Sequence, residues 1–175
     1  MLLACSACGV APQPNSAHTV AAFEVPVFAK SDRDALVALL RQYAEPEGFH
    51  VDASTDEENK QLSEVSPITI NATVWRGKND DEPIASVIDG ADHIGLGWLT
   101  FAKGEDPERS VRFRDSVMKQ IKVRWPKTAA LPIMPTGALP LHDDLVLTKD
   151  GYRVKRAAAF KYELPASSHL IADHG

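Results

Sequence analysis

Ile68-Thr69-Ile70-Asn71-Ala72-Thr73-Val74-Trp75 alternates apolar with polar or larger residues over eight positions. A period of two puts Ile68, Ile70, Ala72 and Val74 on one face of an extended chain, the pattern of a half-buried antiparallel strand. Downstream, the residues at 77–81 turn the chain, a shorter strand at 84–88 pairs back as a hairpin, and Asp89-Gly90 reverses it again. In the next strand Ile94, Leu96 and Trp98 face one side and Leu99 and Phe101 the other, with Gly95 and Gly97 leaving that second face partly bare for a close approach.

Upstream, Phe23, Val25 and Val27 alternate with Glu24 and Pro26, predicting a strand over 20–29 that Pro26 assigns to a sheet edge. A helix follows, capped by Ser31 with Asp34 in a capping-box position. Leu36, Leu40 and Tyr43 share one face, and Pro46 and Gly48 stop it. Phe49, Val51 and Ala53 then begin a second strand. The polar stretch 54–66 reads as a solvated loop or a short surface helix.

Beyond the meander a second helix is well marked. Asp106 is its N-cap, Pro107 its first residue, and Phe113, Val117, Ile121 and Trp125 recur every four residues as a buried stripe joined by Met118. Its other face carries Arg112, Asp115, Lys119 and Lys122, with Glu108–Arg112 and Asp115–Lys119 at pairing distance along a helix. An apolar strand at 129–134 follows. Strand, helix, strand, two hairpin turns, helix and strand give an α+β two-layer sandwich: an antiparallel or mixed sheet with two helices on one face, related in topology to ferredoxin-like folds but with an extra strand.

The chain divides into residues 1–4, a tether at 5–18, the α+β domain at 19–135 and an irregular C-terminal segment at 136–175. Across the start of that last segment Pro135, Gly137 and Pro140 exclude a helix, while 145–147 and 152–154 flank Lys149-Asp150-Gly151 as a hairpin or turn. Such a segment either wraps one edge or face of the sheet or presents a binding loop. The leading surface is Pro135, Leu139, Leu141, Asp143 and Asp144.

The 175 residues are 44% hydrophobic and 25% charged, as in an ordinary globular domain, and the net charge of −5 argues against general nucleic-acid binding. The basic run at 109–127 reads first as a solvated helix face, and otherwise as a surface for anionic lipid or an acidic protein.

Leu2-Leu3-Ala4-Cys5 resembles the lipobox of bacterial envelope lipoproteins. The resemblance implies that Cys5 is the lipid-bearing first residue of the mature chain, that it anchors the protein to a membrane, and that Ser6 after it directs the protein to the outer membrane, facing the periplasm. Only Met1, Leu2 and Leu3 stand before Ala4, so the expected start codon lies upstream of Met1 and residues 1–4 are the remnant of a signal peptide. The tether then carries Gly9, Pro12, Pro14, Asn15 and Ser16, with little to form a core. Cys5 and Cys8 also make a C-x-x-C pair. A structural zinc needs two further ligands, and a redox motif sits between a strand and a helix, so lipidation of Cys5 is the preferred reading.

Chemistry-bearing motifs are sparse. Asp89, Asp92 and His93 fall in Asp-Gly-Ala-Asp-His, and His142 stands beside Asp143 and Asp144. These are ligand types for zinc or for hydrolysis, without a diagnostic spacing. The sequence contains no G-x-S-x-G or G-x-G-x-x-G, and no cofactor is implied. The expectation is therefore a non-enzymatic periplasm-facing lipoprotein acting through protein binding, as an assembly factor or an immunity protein against an envelope toxin. The alternatives are a lipid-anchored hydrolase or metal-binding enzyme, signalled by a deep polar pocket, and a carrier of a small apolar ligand, signalled by an apolar cavity.

Overall fold

The computed structural model describes residues 18–66, 68–77, 82–90 and 95–172. Strand β1 (Thr19–Pro26), helix α1 (Lys30–Ala44) and strand β2 (His50–Ala53) form the first strand–helix–strand unit. Helix α2 (Asp56–Val65) leads into the meander β3 (Ile68–Trp75), β4 (Pro83–Gly90) and β5 (Leu96–Ala102). Helix α3 (Pro107–Arg124) then returns the chain to the two-residue strand β6 (Ala129–Ala130).

These six strands make one sheet in the order β2-β3-β4-β5-β1-β6, with every pairing antiparallel. The protein is an α+β sandwich. Each strand–helix–strand unit is split by intervening strands, β1 lying between β5 and β6 while β5, β4 and β3 lie between β1 and β2. That is a ferredoxin-like arrangement widened by the β3–β4 hairpin, two added strands where the sequence suggested one.

Helices α1 and α3 share the principal core on one sheet face. Leu36 and Leu40 of α1 and Phe113, Val117 and Ile121 of α3 are fully buried against Val25, Val74, Leu99 and Phe101. The Phe113 ring meets Phe49 and Phe101 edge-on, with centroids 5.6 and 6.1 Å away, the geometry that opposes ring edge to ring face. Trp125 is only 6% exposed, closing the stripe that the four-residue spacing predicted.

Several local expectations give way. Strand β1 is not an edge strand. Pro26 lies beyond the reach of β6, which pairs only with Phe23 and Glu24, so its missing N–H leaves no ladder bond unmade there. Helix α1 begins at Lys30 after Ala29, without a side-chain cap, and Asp34 pairs with Lys30 at 3.2 Å instead of closing a box with Ser31. The capping box belongs to α2, where Thr55 and Glu58 satisfy each other's backbone N–H groups. On α3, Arg112 reaches across to Glu47 and Arg114 pairs with Asp115, in place of the two pairs expected along the helix. The strand expected over 129–134 shrinks to two residues: past Ala130 the Leu131 N–H still reaches the Ala22 carbonyl of β1, and the Met134 N–H bonds the Ala138 carbonyl instead.

The decisive departure lies in β3. The register runs Ile70 opposite Ile88 and then Ala72 opposite Val87, so Asn71 is an extra residue, a β-bulge. Beyond the bulge Ala72 and Val74 enter the core, while Ile70 is 48% exposed. The one face that the alternation assigned to both Ile70 and Ala72 is therefore two faces.

Candidate functional site on the C-terminal segment

The opposite face of the sheet is covered in part by the C-terminal residues. Ala22 and Trp98 project from β1 and β5 into a second core with Leu131, Met134, Leu145, Val154, Ala158, Leu164 and Ile171. The segment includes the hairpin β7 (Leu145–Thr148) and β8 (Gly151–Val154) and a 3-10 helix, Arg156–Tyr162. The hairpin turns at Lys149-Asp150-Gly151. Gly151 has φ +109°, and a Cβ there would stand 2.8 Å from the Ala130 carbonyl oxygen, so the β7–β8 hairpin reaches β6 only because this position has no side chain.

Polar bonds tie this cover to the sheet. Glu24, 6% exposed, accepts from the Trp98 indole N–H at 3.1 Å and from the Tyr152 hydroxyl at 2.5 Å. His142 Nε2 lies 3.3 Å from the same carboxylate, and the His142 ring centroid is 6.0 Å from that of Tyr152. Burial, together with the neighbouring Glu24 carboxylate, pushes the Tyr152 hydroxyl well above its ordinary pKa. The network holds a carboxyl, an imidazole and a phenol together. Trp98 and Tyr152 pack the second core and the His142 ring lies beside both, so the cluster fastens the segment in place.

A second polar lock lies within the segment. Asp144 is 6% exposed and accepts from Lys161 Nζ at 2.8 Å and from the Tyr162 hydroxyl at 2.6 Å. The Tyr162 oxygen in turn accepts the Leu141 N–H at 3.0 Å. Burial acts to raise the Asp144 pKa, but the bonds from Lys161 and Tyr162 outweigh it and hold the carboxyl below its ordinary value. For Tyr162, burial and then the Asp144 bond push the hydroxyl up to about 12.

These contacts sort the residues singled out from sequence. Pro135, Leu141 and Asp143 stand exposed. Leu139 packs partly against the second core, and Asp144 faces inward with both oxygens engaged, so Asp144 leaves the partner-facing set. The turn at 134–137 is closed by the Gly137 N–H to the Met134 carbonyl.

The described members of the two Asp/His clusters, Asp89 and His142, do not meet. Asp89 sits on the helix side of the sheet, 3.0 Å from the Arg33 guanidinium, whereas His142 lies beside Glu24 on the other side. A guanidinium already compensates the Asp89 charge and repels a metal cation. Asp92 and His93 lie outside the described residues, as do Cys5, Cys8 and the tether. Among the described residues no three His, Cys, Asp or Glu side chains converge to hold a metal, and no helix is long and apolar enough to cross a membrane.

What the sequence missed is the pair of locks. Glu24, Tyr152, Lys161 and Tyr162 carry no motif, and Glu24 meets Tyr152 across 128 positions of chain. The only local sign was a glutamate within a strand whose neighbours are apolar. The chain matches no protein-family model, no curated protein and no solved structure.

Proposed function

We propose that this protein is a non-enzymatic lipoprotein of the bacterial envelope, held by acylated Cys5 at the outer membrane facing the periplasm and acting by binding another protein. Assembly factor and immunity protein are the two roles that suit a small tethered domain of this kind. The observation that carries the reading is a pair of large apolar side chains on a locked scaffold: Leu141 is 60% exposed and Phe160 77% exposed. The Leu141 backbone is fixed by Tyr162, which belongs to the same 3-10 helix as Phe160. Apolar groups held in water on a backbone that need not reorganise are economical recognition elements, since little conformational entropy is lost on binding.

Two experiments test the reading. Expressed with its upstream codons and fractionated, the wild type should carry an acyl group and sediment with membranes, and the Cys5→Ser variant should not. A Cys5→Ser variant that stays membrane-bound, with no acyl group on the wild type, overturns the anchor. Capture of envelope proteins by the full chain should be lost in the Leu141→Asp/Phe160→Asp double variant while melting is unchanged. Undiminished capture removes this surface from the interface.

A further inference from the structure

On the helix side of the sheet, α1, α2, β3 and β4 enclose an open groove of about 480 Å³, a size within the roughly 300–1,000 Å³ typical of small-molecule sites. Its chemistry is unlike that of the rest of the core. Val37 is the only apolar residue among the described residues that line it, and its charged groups balance, with Lys30, Arg33 and Lys60 against Asp34, Asp56 and Asp89.

Four polar atoms in this groove are buried and make no hydrogen bond: Arg33 Nε, Asn59 Oδ1, Asn71 Nδ2 and Asp89 Oδ1. Buried polar atoms are seldom left this way in a native protein. Asn71 is the most telling. It is 8% exposed, it is the extra residue of the β3 bulge, and the bulge directs its amide into the groove beside Asp89. Bulges are a common device for re-aiming a side chain at a site. The fold thus breaks the alternation of its central meander to place an unsatisfied amide in a polar recess.

We propose that this groove, centred on Arg33, Asn59, Asn71 and Asp89, binds a small neutral polyhydroxyl ligand, of the chemical class of a mono- or disaccharide. The unmet groups include both donors and acceptors. A hydroxyl serves as donor and acceptor from one atom, so a polyol satisfies the mixed set within a small space. An anion meets Asp34, Asp56 and Asp89, and a cation meets Lys30, Arg33 and Lys60, so neither is favoured by charge. Among the described lining residues an apolar ligand finds only Val37. The site is separate from the exposed Leu141 and Phe160 surface, which belongs to the segment covering the opposite sheet face.

The test uses the full chain, isotope-labelled, titrated with glucose and with maltose while the Asn71 side-chain amide and the Arg33 Nε–H resonances are followed. At least one sugar should give saturable shifts at these groups. Asn59→Ala, on the surface helix α2, and Asn71→Leu should each weaken that binding about tenfold, the effect of removing one buried hydrogen-bonding partner. Asn71→Leu should also melt at the same temperature as the wild type or higher, because an unsatisfied amide kept for a ligand is a burden on the free protein. Absence of saturable shifts with both sugars overturns the proposal, as does a stronger response to acetate or tetramethylammonium. A lower melting temperature for Asn71→Leu, with sugar affinity intact in Asn59→Ala, assigns the groove to structural water and likewise overturns it.

Discussion

The two cores of this protein are built on different principles. Between the sheet and helices α1 and α3, the largest fully buried side chains are Phe101, Phe113, Leu36, Leu40, Ile84 and Leu99, and what holds them is apolar burial from regular elements. Under the C-terminal segment the chain is mostly irregular, its apolar groups are fewer, and Glu24 and Asp144 pin it at two points. Helices and strands satisfy their own backbone groups and need only an apolar face to dock. An irregular cover has more polar groups to satisfy and takes its definition from buried side-chain bonds.

The contrast is broken most forcefully at Phe113. Truncation to alanine should cost about 3–5 kcal/mol, through lost burial and the cavity left between Phe49 and Phe101. Trp125→Ala belongs to the same range, since its ring closes the same stripe. Chemical denaturation should show one cooperative transition shifted to lower denaturant in both cases. A loss below about 1 kcal/mol at Trp125 would mark it as a surface residue.

The second core should fail differently. Glu24→Ala strands the Trp98 and Tyr152 donors in a buried site, a cost of roughly 1–3 kcal/mol. Because those donors hold the cover to the sheet, the loss should be concentrated there: amide exchange at Leu131, Val154 and Ala172 should rise well before that at Val25 or Val87. Uniform acceleration across both groups would show that the two cores unfold as one unit and that the distinction is only one of composition.

How far the sequence foretold this follows the same division. The helix-side core was legible because periodicity is a local property: the four-residue spacing of Phe113, Val117 and Ile121 names a buried stripe without reference to anything distant. Asn71 was not legible. A bulge is defined by the partner strand, and only the register against Ile88 and Val87 reveals that β3 carries one residue too many. Glu24 read as an outward position of an edge strand for the same reason, its cover arriving from Tyr152 and His142 far along the chain. The groove shares that fate, since Arg33, Asn59, Asn71 and Asp89 come from four elements with no common spacing. The C-terminal hairpin, by contrast, was signalled by Asp150-Gly151, because turn chemistry is local too.

Titration offers a gentler way of loosening the second core alone. The raised Tyr162 and Tyr152 values mean that folding favours their protonated hydroxyls. Their contribution is complete below the unfolded tyrosine pKa, about 10, and is lost as pH rises toward the folded value, about 12 for Tyr162. Asp144 works in the other direction: with its folded pKa depressed, its contribution is complete above about 4 and is lost as pH falls through the lower folded value. Proteolytic nicking of the C-terminal segment should therefore increase at both extremes. Tyr162→Phe should remove part of the alkaline limb, the rest belonging to Tyr152, and a limb unaltered by that change would place its origin outside the Asp144 lock.

The smallest effect should separate two neighbouring leucines. Leu139 packs against the second core whereas Leu141, two residues on, is 60% exposed. Leu139→Asp would introduce a charge among apolar neighbours and should lower the melting temperature and accelerate exchange at Val154. Leu141→Asp changes a side chain that already faces water, and its effect on stability should fall within about 0.5 kcal/mol. The backbone N–H of Leu141 still donates to Tyr162 in that variant, so the lock survives the substitution. If Leu141→Asp destabilises the domain as much as Leu139→Asp, Leu141 is a sealing residue of the second core, and the exposed recognition surface shrinks to Phe160. If only Leu139→Asp does so, the boundary between cover and presented surface falls between these two positions, and binding lost in Leu141→Asp can be read without correction for unfolding.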